Sequence, residues 1–186
     1  MPYILLAVLA VIALFVIVVA TRPSEFRVSR SLAMNAPAEE CFAQVNDFHN
    51  WDAWSPWAKL DPNAKQTYEG PPAGVGSVMK WSGNNKVGEG ISTITDSRPG
   101  QLVRMNLQFL RPMKATNIGE FAFESHSPER TKVTWSMSGR NGFAGKAFGL
   151  FVNCEKMVGG EFEKGLASMK RIVESSNSRV AVGSNN

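Results

Sequence analysis

Residues 3–20, "YILLAVLAVIALFVIVVA", run without a charge or a helix breaker. At about 1.5 Å per residue this stretch spans roughly 27 Å, close to the thickness of a bilayer's hydrocarbon core. The pattern predicts one transmembrane helix, with residues 1–21 as an anchor and 22–24 as a linker. A cleaved secretory signal is the rival reading, because Val18 and Ala20 suit a cleavage site. Against it, the run is longer than a signal core and no Lys or Arg precedes it. Arg22, Arg27 and Arg30 follow, an asymmetry that puts the rest of the chain on the cytoplasmic side of an inner or plasma membrane.

Beyond the linker the period changes. "FRVSRSLAMNAP" alternates Phe26, Val28, Leu32 and Met34 with polar neighbours, as a half-buried strand does, and Asn35 and Pro37 end it. "AEECFAQVNDF" then carries Ala38, Phe42 and Val45 at helical spacing. A series of strands follows, each stopped by Gly, Pro, Asn or Asp: "GSVMKWSG", "KVGEGISTITD", "QLVRMNLQFL", "KATNIGEFAFES" and "RTKVTWSMSG", with a weaker one in "KQTYEG". After Asn141-Gly142 the pattern turns helical again, and Phe151, Val158, Phe162, Leu166, Met169 and Val173 share one stripe. The domain is read as residues 25–176 and the polar 177–186 as a disordered tail. This order argues an α+β domain in which a curved antiparallel sheet packs on a long C-terminal helix, leaving a cavity that short helices and loops must close.

Side chains on a strand alternate between faces, so parity assigns the inner positions. Met79 and Trp81; Val87, Glu89 and Ile91; Val103, Met105, Leu107 and Phe109; Phe121 and Phe123; and Val133, Trp135 and Met137 share the apolar parity. Two polar residues intrude, Glu89 and Arg30. An inward carboxylate needs a donor or a proton, which makes Glu89 the candidate acid-base group. The alternative is that Glu89 sits at a strand end or bulge, between Gly88 and Gly90, and meets water. Pairing of Arg30 with Glu89 across the sheet is a further option.

The segment "WDAWSPWAKLDP" holds three of the five tryptophans, Trp51, Trp54 and Trp57, three residues apart. Aromatics at that spacing anchor a lid helix to the core and also present a flat apolar face to a ligand. Pro56 and Asp61-Pro62 are read as the lid's end, with Asp61 forming a turn on its own backbone. Glycines 142, 145 and 149 weaken the start of the last helical region, so Phe148 and Phe151 are expected to frame the cavity mouth. The candidate ligand-binding set is therefore Trp51, Trp54, Trp57, Trp81, Glu89, Met105, Leu107, Phe109, Phe121, Trp135, Phe148 and Phe151.

Composition narrows the chemistry. A net charge of +4 over 186 residues is small, and no stretch interleaves basic residues with aromatics as nucleic-acid readers do; attraction to anionic lipid beside the anchor suffices. Cys41 and Cys154 lack metal spacing and are expected as reduced core residues, with no metal and no cofactor implied. His49 and His126 have no triad arrangement around them and are expected at the surface. The glycines of "GVGSVMKWSG" lead into a strand and form a hairpin approach, not a phosphate cradle.

Three stretches, "SLAMNAPAEECFAQVNDFHNWDAWSPWAKLDP", "YEGPPAGVGSVMKWSGNNKVGEGISTITDSRPG" and "EKMVGGEFEKGLASMKRI", resemble the bacterial membrane-anchored branch of the START-like superfamily, also called SRPBCC or polyketide cyclase/dehydrase-like. The resemblance implies a helix-grip fold, in which seven antiparallel strands wrap a C-terminal helix around a cavity for apolar ligands. It does not imply one activity. The expected function is a membrane-tethered binding module for an apolar small molecule or lipid. A cyclase, aromatase or dehydratase using Glu89 is the alternative, and a protein-interaction or stress-response domain with a vestigial cavity is the second.

Overall fold

The computed structural model describes residues 2–183. Helix α1, Pro2–Thr21, projects from the domain and meets it at its C-terminal end, where Lys146 donates to the Ala20 carbonyl. It is long and apolar enough to cross a membrane, and Val19 is its one buried side chain among the described residues. Strand β1 begins at Glu25 and ends at Met34. Helix α2, Ala38–Asn46, buries Ala38, Cys41, Phe42 and Val45, the face its spacing predicts. A 3-10 turn at Phe48–Asn50 follows, then two short helices, α3 at Trp51–Trp54 and α4 at Pro56–Leu60.

The remaining strands are β2 at Lys65–Glu69, β3 at Val78–Ser82, β4 at Glu89–Arg98, β5 at Leu102–Arg111, β6 at Ala115–Ser127 and β7 at Arg130–Arg140. They form one seven-stranded antiparallel sheet in the order β1-β7-β6-β5-β4-β3-β2. Helix α5, Phe143–Phe148, leads to α6, Cys154–Gly183. The sheet curves over α6, whose Phe162, Leu166, Met169 and Val173 are buried. This is the α+β helix-grip arrangement. The backbone of α6 runs through the first part of the segment expected as a tail, and residues 184–186 lie outside the described residues.

Parity places the inner faces of β3, β5, β6 and β7 as expected, with Met79, Val103, Met105, Phe121, Phe123, Val133 and Trp135 all buried. Strand β4 is the exception. Its buried positions are Gly90, Ser92 and Ile94, so Glu89 and Ile91 fall on the other parity. Two causes act together. Ile91 and Ile94 have opposite parity, so the apolar pattern does not decide the face, and the pairing with β5 shifts between Glu89 and Gly90 and again between Ile94 and Asp96. Space decides it: the Trp81 indole lies over Gly90, where any Cβ would collide with the ring.

Two smaller differences concern the lid and the cysteines. Pro56 opens α4 and does not end the lid, because the first turn of a helix has no use for the amide that proline lacks. Cys41 is a core residue, whereas Cys154 is only half-buried at the start of α6.

Candidate functional site

The lid is fixed from both sides. The indole N–H groups of Trp51 and Trp54 donate to the carbonyls of Val45 and Gln44, both at 3.0 Å. Those carbonyls belong to the last turn of α2, which has no intrahelical partners for them. The rings meanwhile stand edge-on to the sheet, Trp54 at 5.8 Å from Phe121 and 5.6 Å from Trp135, and Trp57 at 5.5 Å from Trp135. Asp61 ends the lid by accepting from the Asn63 amide at 3.1 Å, the expected turn. It also accepts from the Asn84 amide at 2.7 Å, which ties the lid to the β3–β4 hairpin.

Beneath the lid lies a cavity of about 220 Å³, walled by the lid, by β2 to β5 with β7, and by α6. Trp51 and Trp57 come from the lid; Met79, Trp81, Met105, Leu107, Phe109, Trp135 and Met137 come from the sheet; Val158 and Phe162 come from the helix. Its volume is below the range of about 300 to 1,000 Å³ typical of small-molecule sites, so it suits a compact apolar group.

Polar groups are few and specific. Gln66 donates to Asp52 at 2.7 Å and accepts from the Tyr68 hydroxyl at 2.8 Å, and both Asp52 and Gln66 line the cavity. Partial burial, with Asp52 and Asp47 nearby, raises the pKa of Tyr68, so the hydroxyl stays a donor. Ser55 and Ser92 add hydroxyls to the wall. Among the described residues no group of His, Cys, Asp and Glu is arranged to hold a metal ion.

Of the expected set, Trp51, Trp57, Trp81, Met105, Leu107, Phe109 and Trp135 line the cavity. Trp54 and Phe121 are fully buried behind that wall as its support. Glu89 is not in it: its carboxylate accepts from Arg111 Nε at 2.7 Å, at the strand end beside the β4 irregularity. Arg30 does face the helix side, but its partners are Glu155 at 2.7 Å and Glu163 at 2.6 Å on α6. Phe148 and Phe151 are 46% and 81% exposed and do not frame the mouth, because α5 turns toward the end of α1. Asp52, Gln66, Ser55 and Ser92 were missed. Ser92 becomes visible only once Gly90 is known to face inward, and Asp52 reads as a solvated residue between two tryptophans.

A second, wider concavity lies on the outer face of the sheet, where Arg27 and Arg104 are among the lining residues. Those two arginines are already paired, since Glu120 lies 2.8 Å from Arg104 and 3.8 Å from Arg27. The inner cavity is therefore the candidate site.

The sequence matches, over residues 25–174, the family described as polyketide cyclase / dehydrase and lipid transport. No curated protein matches it at a significant level. Among solved structures it is similar to the Zhui aromatase/cyclase from Streptomyces sp. R1128, with 16% identity, TM-score 0.59, and 81% of this chain and 94% of that one covered. A protein from Nitrosospira multiformis gives 16% identity and TM-score 0.59, covering 82% and 99% of the two chains. The Aha1 dimer from Colwellia psychrerythraea gives 16% identity and TM-score 0.57, covering 80% and 96%. At this identity the likeness concerns the fold alone.

Proposed function

Over residues 25–174 this chain belongs to the polyketide cyclase / dehydrase and lipid transport family, and from that premise we propose that it is a membrane-tethered binding module for an apolar small molecule or lipid. The observation that carries the reading is the cavity wall: mostly aromatic and aliphatic side chains, with Ser55, Ser92 and the hydrogen-bonded Asp52 and Gln66 as its polar groups. An apolar ligand leaves water for such a wall at a gain of about 25 cal/mol per Å² buried, and a polar end of the ligand finds these few groups to bond. In this reading α1 spans the inner or plasma membrane and holds the domain on the cytoplasmic side, as the three arginines after it favour.

The binding reading is preferred to a cyclase, aromatase or dehydratase that works through Glu89, because that residue is held by Arg111 away from the cavity. A general acid or base must reach the reacting atom.

Titration of the full chain in nanodiscs with a compact fluorescent naphthalene probe, with empty nanodiscs as the blank, tests the proposal. One probe should bind per chain, and Leu107→Trp, which fills the cavity, should abolish binding while circular dichroism is unchanged. Equal binding by wild type and Leu107→Trp would place the probe elsewhere and reject the cavity as the site.

A further inference from the structure

Strand register gathers several loops at one end of the sheet. Glu25 of β1 pairs with Arg140 of β7, Phe109 of β5 pairs with Ala115 of β6, and Ser82 of β3 pairs with Glu89 of β4. The end of α1, the β3–β4 hairpin, the β5–β6 hairpin and the start of α5 therefore share that end. Large exposed apolar side chains collect there: Met113 at 51%, Phe143 at 50%, Phe148 at 46% and Phe151 at 81% exposure. A soluble surface rarely groups such residues without a partner.

The position of α1 names the partner. Helix α5 packs against α1, and Lys146 Nζ donates to the carbonyls of Ala20 and Arg22 at 3.1 and 3.0 Å. The first belongs to the last turn of α1 and the second to the residue just beyond it, so neither has an intrahelical donor. A helix that spans a bilayer ends at the headgroup layer, so a segment bonded to its last turn lies at that depth. Exposed Arg22, Lys114 and Arg140 stand at the same end, with the charge that anionic headgroups attract.

We infer that this end of the domain beds in the surface of the bilayer spanned by α1, with Phe148, Phe151 and Met113 inserted among the headgroups. The inference rests on the membrane-spanning reading of α1. It gives the cavity an orientation, since Val87 and Phe109, at the same sheet end, belong to its wall, so that part of the wall lies toward the lipid.

The test uses the full chain in nanodiscs of phosphatidylethanolamine and phosphatidylglycerol. Cys154→Ser removes the half-buried thiol, and nitroxide labels are placed singly through Met113→Cys, Phe151→Cys, Leu9→Cys and His126→Cys, the last at the opposite end of the sheet. Collisions with oxygen, which concentrates in lipid, should dominate at 9, 113 and 151, and collisions with a water-soluble nickel chelate should dominate at 126. Nickel dominance at 113 and 151 with oxygen dominance at 9 overturns the inference and leaves the anchor standing. Shielding of 113 and 151 from both reagents overturns it in favour of a protein cover. Nickel dominance at 9 removes the anchor and the inference together.

Discussion

The ring of Phe162 on α6 lies 4.1 Å from the indole of Trp135 on β7, only 11° from parallel. The other face of that indole stacks on Phe121 of β6 at 4.7 Å, so a single strand residue is held between its sheet neighbour and the helix. Gly165, one turn beyond Phe162, makes the approach possible: a Cβ there would stand 2.8 Å from the indole and 3.1 Å from Pro56 of the lid. The grip of sheet on helix is built on this stack, and the same two rings form part of the cavity wall.

Phe162→Ala is therefore expected to cost about 3 to 5 kcal/mol of stability, the range for deleting a buried aromatic. Urea denaturation of the full chain in mild detergent measures it. Because the lost ring also opens the cavity, a bulkier apolar probe should bind the variant better than wild type. A loss below about 1 kcal/mol would mean that the stack is not what joins helix to sheet.

Trp54 and Phe151 are expected to behave oppositely despite their equal standing as sequence candidates. Trp54 is fully buried and Phe151 is 81% exposed. Trp54→Ala should cost about 3 to 5 kcal/mol, whereas Phe151→Ala in detergent should stay within about 0.5 kcal/mol of wild type. Equal losses in the two variants would contradict the exposures.

The contrast shows what the sequence made legible. Period-two alternation placed β3, β5, β6 and β7 because their inward residues are large and their outward ones polar. It misplaced β4 because what fills the space over Gly90 is a side chain from the neighbouring strand, Trp81, which the local pattern does not contain. The aromatic wall was readable for the same reason as the strands. Its polar chain was not, since Asp52 and Gln66 meet only after the lid folds back on β2. Phe148 and Phe151 were expected at the cavity mouth because glycines 142, 145 and 149 weaken the start of that helical region, and the turn of α5 toward α1 carries no signal in spacing.

Arg30 and Gly159 offer a test in which helix propensity should fail. Arg30 reaches between Glu155 and Glu163 by crossing the α6 backbone at Gly159, where any Cβ would collide with the guanidinium. Gly→Ala inside a helix ordinarily gains about 1 kcal/mol. Gly160→Ala, with nothing near its Cβ, should show that gain. Gly159→Ala should lose it, and should recover it in an Arg30→Ala background, where the obstruction is gone. Identical effects of the two substitutions in wild type would show that Arg30 does not cross at Gly159.

The two cysteines should differ in reactivity and in their effect on alkaline stability. Burial, with Glu40 beside it, pushes the Cys41 thiol up from 9.0 to about 12. The thiolate is the reactive form, so a maleimide at about pH 8 should modify the folded chain once, at the half-buried Cys154, and twice in denaturant. The raised value also fixes a sign. At pH between the unfolded and folded values the unfolded chain has lost a proton that the native chain keeps, so the contribution is complete below about 8.5 and is lost as pH rises toward 12. Wild type should accordingly lose more stability than Cys41→Ala between about pH 8 and about pH 10.5. Parallel losses in the two proteins, or two adducts on the folded chain, would show that Cys41 is open to solvent and that the contact between α2 and the sheet is looser than its buried thiol implies.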